Sequence, residues 1–150
     1  MAVHAAAVPS GRTTRTRTTA LPKRPRELLA EARRALARRD IACAEKCARG
    51  VVKSGTRRQA ADAMTIMADC AQIGGQIARA IALLHRIEEW YPDLGTGETA
   101  LYGAAVLEAE TPGRLAAATL KRYAARYPRG RFIRNVRAQL RALGDVAVSS

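Results

Sequence analysis

Three cysteines are the side chains of this 150-residue sequence best suited to holding a metal ion. Cys43 and Cys47 lie four residues apart, so on a helix their thiols would share one face, and Cys70 could supply a third ligand. Structural zinc sites usually have four ligands, often in closely spaced pairs, and free cysteine also packs as a small apolar side chain. We therefore expect packed, reduced thiols, with no metal and no other cofactor.

Residues that could act in acid–base catalysis occur at spacings that are also common on the charged surface of a helix. Glu88 and Glu89 are adjacent, Glu108 and Glu110 form a second pair, and His85 precedes Glu89 by four residues. That last spacing is typical of a surface pair on a helix. No glycine-rich phosphate loop follows a strand pattern, and no serine lies in a nucleophile-elbow motif. The sequence therefore predicts a protein that is not an enzyme.

The composition favours helices over strands and over disorder. The chain has 32 alanines, whereas Leu, Ile, Val and Phe together number 29. Alanine has the highest helix propensity, and its small side chain lets helices pack closely. Charged residues interrupt every apolar run well before the roughly 18 residues of a transmembrane helix. We expect an all-α protein in the cytoplasm, or in the bacterial cell envelope if the true start of the chain lies upstream.

The formal charge of +13 is concentrated at the two ends of the chain. Residues 1–26 hold six basic and no acidic side chains, and residues 27–110 hold eleven basic and twelve acidic ones. Residues 111–150 hold nine basic side chains and one acidic one. This distribution excludes a uniformly basic, histone-like chain and predicts a nearly neutral central part between two basic ends.

Turn and capping signals divide the sequence after residue 25 into seven predicted helices. Pro25 suits a helix start, Asp40 can cap the second helix, and Thr56 with Gln59 matches the capping box of the third. Gly144 fits the C-terminal cap of the last helix. The predicted helices span 26–38, 41–52, 57–73, 76–91, 98–110, 115–127 and 132–143. Residues 1–25 are predicted to form a disordered basic tail, and residues 145–150 a disordered C-terminus.

A shift of 36 residues aligns each helix pair with the next one. Two columns of alanine result from this shift, one formed by Ala32, Ala68 and Ala104 and the other by Ala44, Ala80 and Ala116. The dipeptides Tyr91-Pro92 and Tyr127-Pro128 also align and end two successive units. A recurring period of this length is typical of helical repeat proteins.

In these alanine columns and Tyr-Pro dipeptides, residues 26–143 resemble the tetratricopeptide repeat family, and its bacterial members in particular. The resemblance implies an α-solenoid of helix-turn-helix repeats, because the family's paired helices cross at small residues. The implied repeat domain is 26–144, with units at about 26–56, 57–92 and 97–128 and a C-terminal capping helix at 131–143. The chain departs from the family in its longer unit and in having Thr56 where the first unit should end in proline.

The resemblance also implies that the first helix of each unit lines a concave groove. The positions that would face this groove are Leu29, Arg33, Leu36, Asp62, Thr65, Asp69, Gln72, Glu98, Leu101, Ala105 and Glu108. Its carboxylates favour a peptide that presents basic residues to Asp62, Asp69, Glu98 and Glu108. We therefore expect an adaptor or scaffold that binds a peptide or a partner protein on the concave repeat surface.

The basic C-terminal end is a second candidate surface. Arg134, Arg137 and Arg141 recur at helical spacing on one face. The same end carries further basic residues at Lys121, Arg122, Arg126, Arg129 and Arg131. Together with the basic N-terminal tail, this basic patch supports an alternative prediction. The protein would then be nucleic-acid-associated or regulatory, and its basic ends would bind phosphates or another anionic surface.

Overall fold

The computed structural model describes residues 21–149 and contains, over that range, seven α-helices and no β-strand. The helices are α1 (Pro25–Ala37), α2 (Ile41–Ser54), α3 (Arg57–Ile73), α4 (Ile77–Trp90), α5 (Gly95–Glu110), α6 (Ala117–Arg126) and α7 (Ile133–Ser149). The predicted all-α class and the number of helices are confirmed. None of these helices is both long enough and apolar enough to cross a membrane. Residues 1–20 of the predicted basic tail lie outside the described residues.

Side-chain caps form where the sequence predicts them. Pro25 is the first residue of α1, and the Asp40 carboxylate accepts a hydrogen bond of 3.2 Å from the backbone N–H of Cys43 at the start of α2. At α3, the N–H of Gln59 donates to Thr56 Oγ1 at 3.2 Å, and the N–H of Thr56 donates to Gln59 Oε1 at 3.0 Å. These bonds satisfy N–H groups that a helix start leaves without a partner, so local sequence determines both boundaries.

Two helices begin two or three residues from the predicted start. Helix α5 begins at Gly95, three residues before the predicted Glu98, because the Leu94 carbonyl accepts hydrogen bonds from the N–H groups of Gly97 and Glu98 at 3.0 and 3.3 Å. Helix α6 begins at Ala117 rather than at residue 115. The chain before it includes a turn with a left-handed glycine at position 113, whose φ is 80°.

The last helix does not end at Gly144. Glycine ends a helix by adopting a left-handed conformation, and in the described range only Gly75 and Gly113 among the glycines have positive φ. Helix α7 therefore continues to Ser149. The predicted disordered C-terminus at 145–150 is wrong for residues 145–149.

The helices pack so that α3 and α5 each contribute to two apolar clusters. Each helix contacts the next one along the chain, and α1 also contacts α3, which in turn contacts α5. One cluster joins α1, α2 and α3, a second joins α3, α4 and α5, and a third joins α5, α6 and α7. Burial of apolar surface therefore links all seven helices in sequence order.

Residues 36 positions apart have similar surroundings in the structure. The alanines of both columns are at most 6 % exposed: Ala32, Ala44, Ala68, Ala80, Ala104 and Ala116. Tyr91 and Tyr127 cap the C-terminal ends of α4 and α6 with similar φ values of −131° and −127°. The Tyr127 hydroxyl donates a 2.9 Å hydrogen bond to the Pro92 carbonyl, which joins these two helix ends.

Candidate functional site

An open groove of about 800 Å³ lies along α1, α3 and α5. It brings together seven of the residues that the sequence places on a concave surface, namely Arg33, Leu36, Asp62, Thr65, Asp69, Gln72 and Glu98. These residues come from three helices that are far apart in sequence, and the contacts of α3 with α1 and α5 hold them on one side of the molecule.

Four predicted groove residues are buried in the helical core instead. Leu29, Leu101 and Ala105 are at most 6 % exposed and pack in the apolar clusters. Glu108 is 6 % exposed, contacts His85 Nε2 through Oε1, and accepts a 2.7 Å hydrogen bond from the Thr119 hydroxyl through Oε2. Their placement in the groove is therefore wrong. Leu29 packs against α2 and α3, and the side chains of α5 pack against α6 and α7 or, for Glu108, bond to α4 and α6.

Helix α5 presents a different face to the groove from the one predicted. The side that lines the groove includes Thr96, Thr99, Gly103 and Val106, which repeat at intervals of three and four residues. The sequence contains this small and weakly polar stripe. The sequence does not distinguish this groove-facing stripe from the buried side of α5, however, because the buried side is also made largely of alanine and leucine.

Two of the three groove carboxylates already have partners within the protein. Asp62 lies 3.5 Å from Arg33 Nη2 and accepts a 3.3 Å hydrogen bond from the Thr96 hydroxyl. Glu98 accepts hydrogen bonds from the Tyr123 hydroxyl and from the backbone N–H of Arg131, the latter at 2.6 Å. These contacts hold both carboxylates in place and leave them less available to a ligand.

Asp69 is the groove carboxylate that has no ion pair or side-chain hydrogen bond among the described residues. Its side chain remains open to solvent, yet partial desolvation within the groove raises the pKa of its carboxyl group. Leu36 and Ile66 line the same groove, and Leu84 and Val106 add apolar surface from α4 and α5. The groove therefore combines an available carboxylate with apolar side chains.

The predicted basic patch is exposed, but it is only partly available. All eight of its residues are exposed: Lys121, Arg122, Arg126, Arg129, Arg131, Arg134, Arg137 and Arg141. Arg122 and Arg126 form ion pairs with Glu88, a buried residue that the sequence analysis assigns wrongly to a charged helix surface. Arg131 lies over the Phe132 ring and reaches the groove. The other five basic residues form no ion pair with any side chain between residues 21 and 144.

The three cysteine sulfur atoms do not lie together as one set of possible metal ligands. The Cys70 thiol is buried and lies 4.0 Å from the Ile41 carbonyl oxygen, in the interface between α2 and α3. Cys43 and Cys47 lie together on α2 beside Glu31 of α1, which the sequence analysis did not consider as a ligand. All three thiols are free.

The groove has the chemistry of a binding surface, with fixed polar groups around apolar side chains. Its lining is drawn from several helices that pack against one another, so the arrangement is preformed. Comparisons with protein-family models, with curated proteins and with solved structures give no match for this chain.

Proposed function

We propose that this chain is a non-enzymatic protein–protein interaction module that binds an extended peptide of a partner protein in the groove along α1, α3 and α5. In this proposal the helix pairs α1–α2, α3–α4 and α5–α6 are three tetratricopeptide-like units of an α-solenoid, and α7 is the cap. The burial of both alanine columns and the matching ends of α4 and α6 support that arrangement. Its free thiols suit a reducing compartment such as the cytoplasm.

The observation that carries the proposal is the position of Asp69 beside apolar side chains. A carboxylate in a partly desolvated groove attracts a cation more strongly than one on an open surface, because less water screens the interaction. Leu36 and Leu84 are half-buried, line the same groove and can pack against an apolar neighbour of that cation. We therefore propose a peptide with one Lys or Arg flanked by apolar residues, rather than a run of basic residues facing four acidic groups.

A binding role fits the groove better than a catalytic one. Its polar lining consists of carboxylates, threonines, a glutamine and two arginines. Among the described residues that line it, the hydroxyl–carboxylate hydrogen bond is that of Thr96 with Asp62 at 3.3 Å, and Asp62 also pairs with Arg33. None of these lining residues is a histidine that could act as the general base of a nucleophile.

The experiment is a selection from a random dodecapeptide phage library on the immobilised full-length protein. We expect the wild-type protein to enrich sequences with one basic residue between apolar residues, and Asp69→Lys to lose them. Glu89→Lys is the matched control, because it makes the same charge change at an exposed position on α4 outside the groove. Enrichment of the same sequences on Asp69→Lys would refute the role of Asp69, and no enrichment on the wild type would refute the groove.

The second candidate function is electrostatic binding of nucleic acid by the basic patch. It is favoured by the exposure of Lys121, Arg129, Arg134, Arg137 and Arg141, which form no ion pair with the side chains of residues 21–144. Phosphate backbones bind such surfaces with an affinity that falls steeply as salt increases. The patch has no aromatic stacking platform that would select particular bases, so this binding would be independent of sequence.

Fluorescence anisotropy with a labelled 20-base-pair DNA duplex over a salt series tests this second function. If phosphates bind the patch, reversal of Arg134, Arg137 and Arg141 to Glu should abolish binding at low salt. The control reverses Lys46, Lys53 and Arg58, which are exposed on α2 and α3. Equal losses from the two triple variants would show that only the net charge matters and would reject a specific patch.

A further inference from the structure

Glu31, Cys43 and Cys47 form a cluster of ligand-type side chains at the interface of α1 and α2. One carboxylate oxygen and the two sulfur atoms all lie within 4.8 Å of one another. The two cysteines are one helical turn apart on α2, so their sulfur atoms lie on the same face, and Glu31 approaches them from α1. The cluster thus draws its atoms from two helices that pack tightly through the apolar cluster of α1, α2 and α3.

Two cations, Lys23 and Arg38, lie beside this cluster. Lys23 forms an ion pair with Glu31, and it lowers the pKa of that carboxyl group. The guanidinium group of Arg38 lies 3.9 Å from Cys43 Sγ. Two thiolates and a carboxylate carry three negative charges. A divalent cation together with Lys23 and Arg38 would more than balance this charge.

The three side chains of the cluster differ in burial, and this difference leaves a path by which an ion could reach them from solvent. Cys47 is buried, whereas Cys43 and Glu31 are only half-buried, so one side of the cluster remains open to solvent. Burial, together with the hydrogen bond to Cys43, raises the pKa of the Cys47 thiol. The Cys47 thiol therefore keeps its proton more readily than an exposed thiol, and an ion that binds its sulfur must displace that proton.

We propose that Glu31, Cys43 and Cys47 bind a thiophilic cation of the Zn²⁺ class, with two thiolates and one carboxylate as ligands and a fourth position open to water. Zinc–sulfur and zinc–oxygen bonds are about 2.3 and 2.0–2.2 Å long. Tetrahedral ligands at these distances are roughly 3.5–3.8 Å apart. The three ligand atoms lie within 4.8 Å of one another, so each pair would have to approach by at most about 1.3 Å to reach this geometry. The site takes this class of ion because thiolates select soft and borderline metals over Mg²⁺ or Ca²⁺.

The test is a titration of the untagged, fully reduced, full-length protein with Co²⁺, followed by Zn²⁺. Tetrahedral Co²⁺ with thiolate ligands absorbs strongly, and Zn²⁺ should remove this absorption by displacing cobalt. We expect one equivalent of Co²⁺ to produce the thiolate-to-cobalt band in the wild type. We expect Cys43→Ser and Cys47→Ala to lose it while their helical circular dichroism stays at the wild-type level.

Cys70→Ala is the matched control, because it removes the remaining thiol from a position outside the cluster. It should retain the band and the affinity for Co²⁺. Glu31→Gln should weaken Co²⁺ binding by at least about tenfold, a loss that even an outer-shell partner of a metal ligand can produce. Absence of the band in the wild type, its loss in Cys70→Ala, or full affinity in Glu31→Gln would each overturn the proposed site.

Discussion

Arg122 Nη2 lies 2.9 Å from Oε2 of Glu88, whose carboxylate is buried between α4 and α6. The other carboxylate oxygen lies 2.8 Å from Arg126 Nε and 3.4 Å from the Tyr127 hydroxyl. Arg122 and Arg126, in the C-terminal half of α6, thus form ion pairs with a buried carboxylate that belongs to α4. This network joins α4 to α6, two helices that α5 separates along the chain.

The double variant Arg122→Ala/Arg126→Ala should be strongly destabilised. It leaves Glu88 as a buried carboxylate without a cation, and the loss of such a partner costs about 3 kcal/mol or more. The free energy of unfolding in urea at pH 7 measures this cost. Arg129→Ala/Arg137→Ala, which makes the same charge change at exposed positions, should stay within about 1 kcal/mol of the wild type. Equal losses in the two double variants would contradict the role given to Glu88.

Gly97→Ala should destabilise the junction of α4 and α5. A Cβ atom at this position would overlap the Tyr91 carbonyl oxygen, and backbone would have to move to relieve the clash. Overpacking of this kind costs about 1–3 kcal/mol, which thermal unfolding will detect. Gly95→Ala is the control within the same helix turn, because nothing lies within 4 Å of a Cβ atom there. It should be neutral or slightly stabilising, and a loss as large as that of Gly97→Ala would refute the steric explanation.

Stability at high pH should depend on Tyr123. Burial, followed by the hydrogen bond to Glu98, raises the pKa of its hydroxyl from 10.0 to about 12. Above pH 10 the unfolded chain releases this proton while the folded chain retains it, so the folded state loses stability between about pH 10 and 12. Tyr123→Phe removes this contribution. Its free energy of unfolding should be lower than that of the wild type at pH 8 but should decline less between pH 10 and 12, and an equally steep decline would contradict the assignment.

Asp93 should titrate at unusually low pH because of Arg57. The guanidinium group lies 2.9 and 3.0 Å from the two carboxylate oxygens, and it lowers the pKa of Asp93 from 3.8 to about 2. In Arg57→Gln the pKa should rise towards its usual value. The carboxyl carbon chemical shift of Asp93, followed by NMR from pH 1.5 to 6, measures both values. An identical midpoint in wild type and variant would show that Arg57 does not hold this carboxylate in solution.

The features that sequence reasoning identifies correctly depend on nearby residues. Asp40 and the Thr56–Gln59 pair determine helix starts through hydrogen bonds between residues three positions apart. A short segment of sequence therefore contains both the donor and the acceptor. The alanine columns are identifiable for a related reason, because close helix crossing demands a small residue at each repeat. Gly144 is the exception, since a glycine permits a left-handed C-terminal cap but does not by itself end a helix, and Gly144 lies within α7 without a positive φ.

The features that sequence reasoning misses depend on how the helices face one another. Glu88 looks like a surface residue until α6 supplies Arg122 and Arg126, which are 34 and 38 positions away. Glu108 is assigned to the groove by the family resemblance. The apolar pattern of α5 does not correct this assignment, because apolar residues lie around most of the helix circumference and determine its orientation poorly. Glu31 joins the two cysteines only through the packing of α1 on α2.

A charge-swap measurement tests the central claim most directly. The peptide enriched on the wild-type protein and its variant with Glu in place of the basic residue are each titrated into wild-type protein and Asp69→Lys, with fluorescence anisotropy as the readout. Each single reversal should weaken binding by about tenfold or more, which corresponds to about 1.4 kcal/mol. Combining both reversals should restore most of the affinity, because the opposite charges again face each other in the groove. Binding of the original peptide to Asp69→Lys with wild-type affinity would contradict the claim.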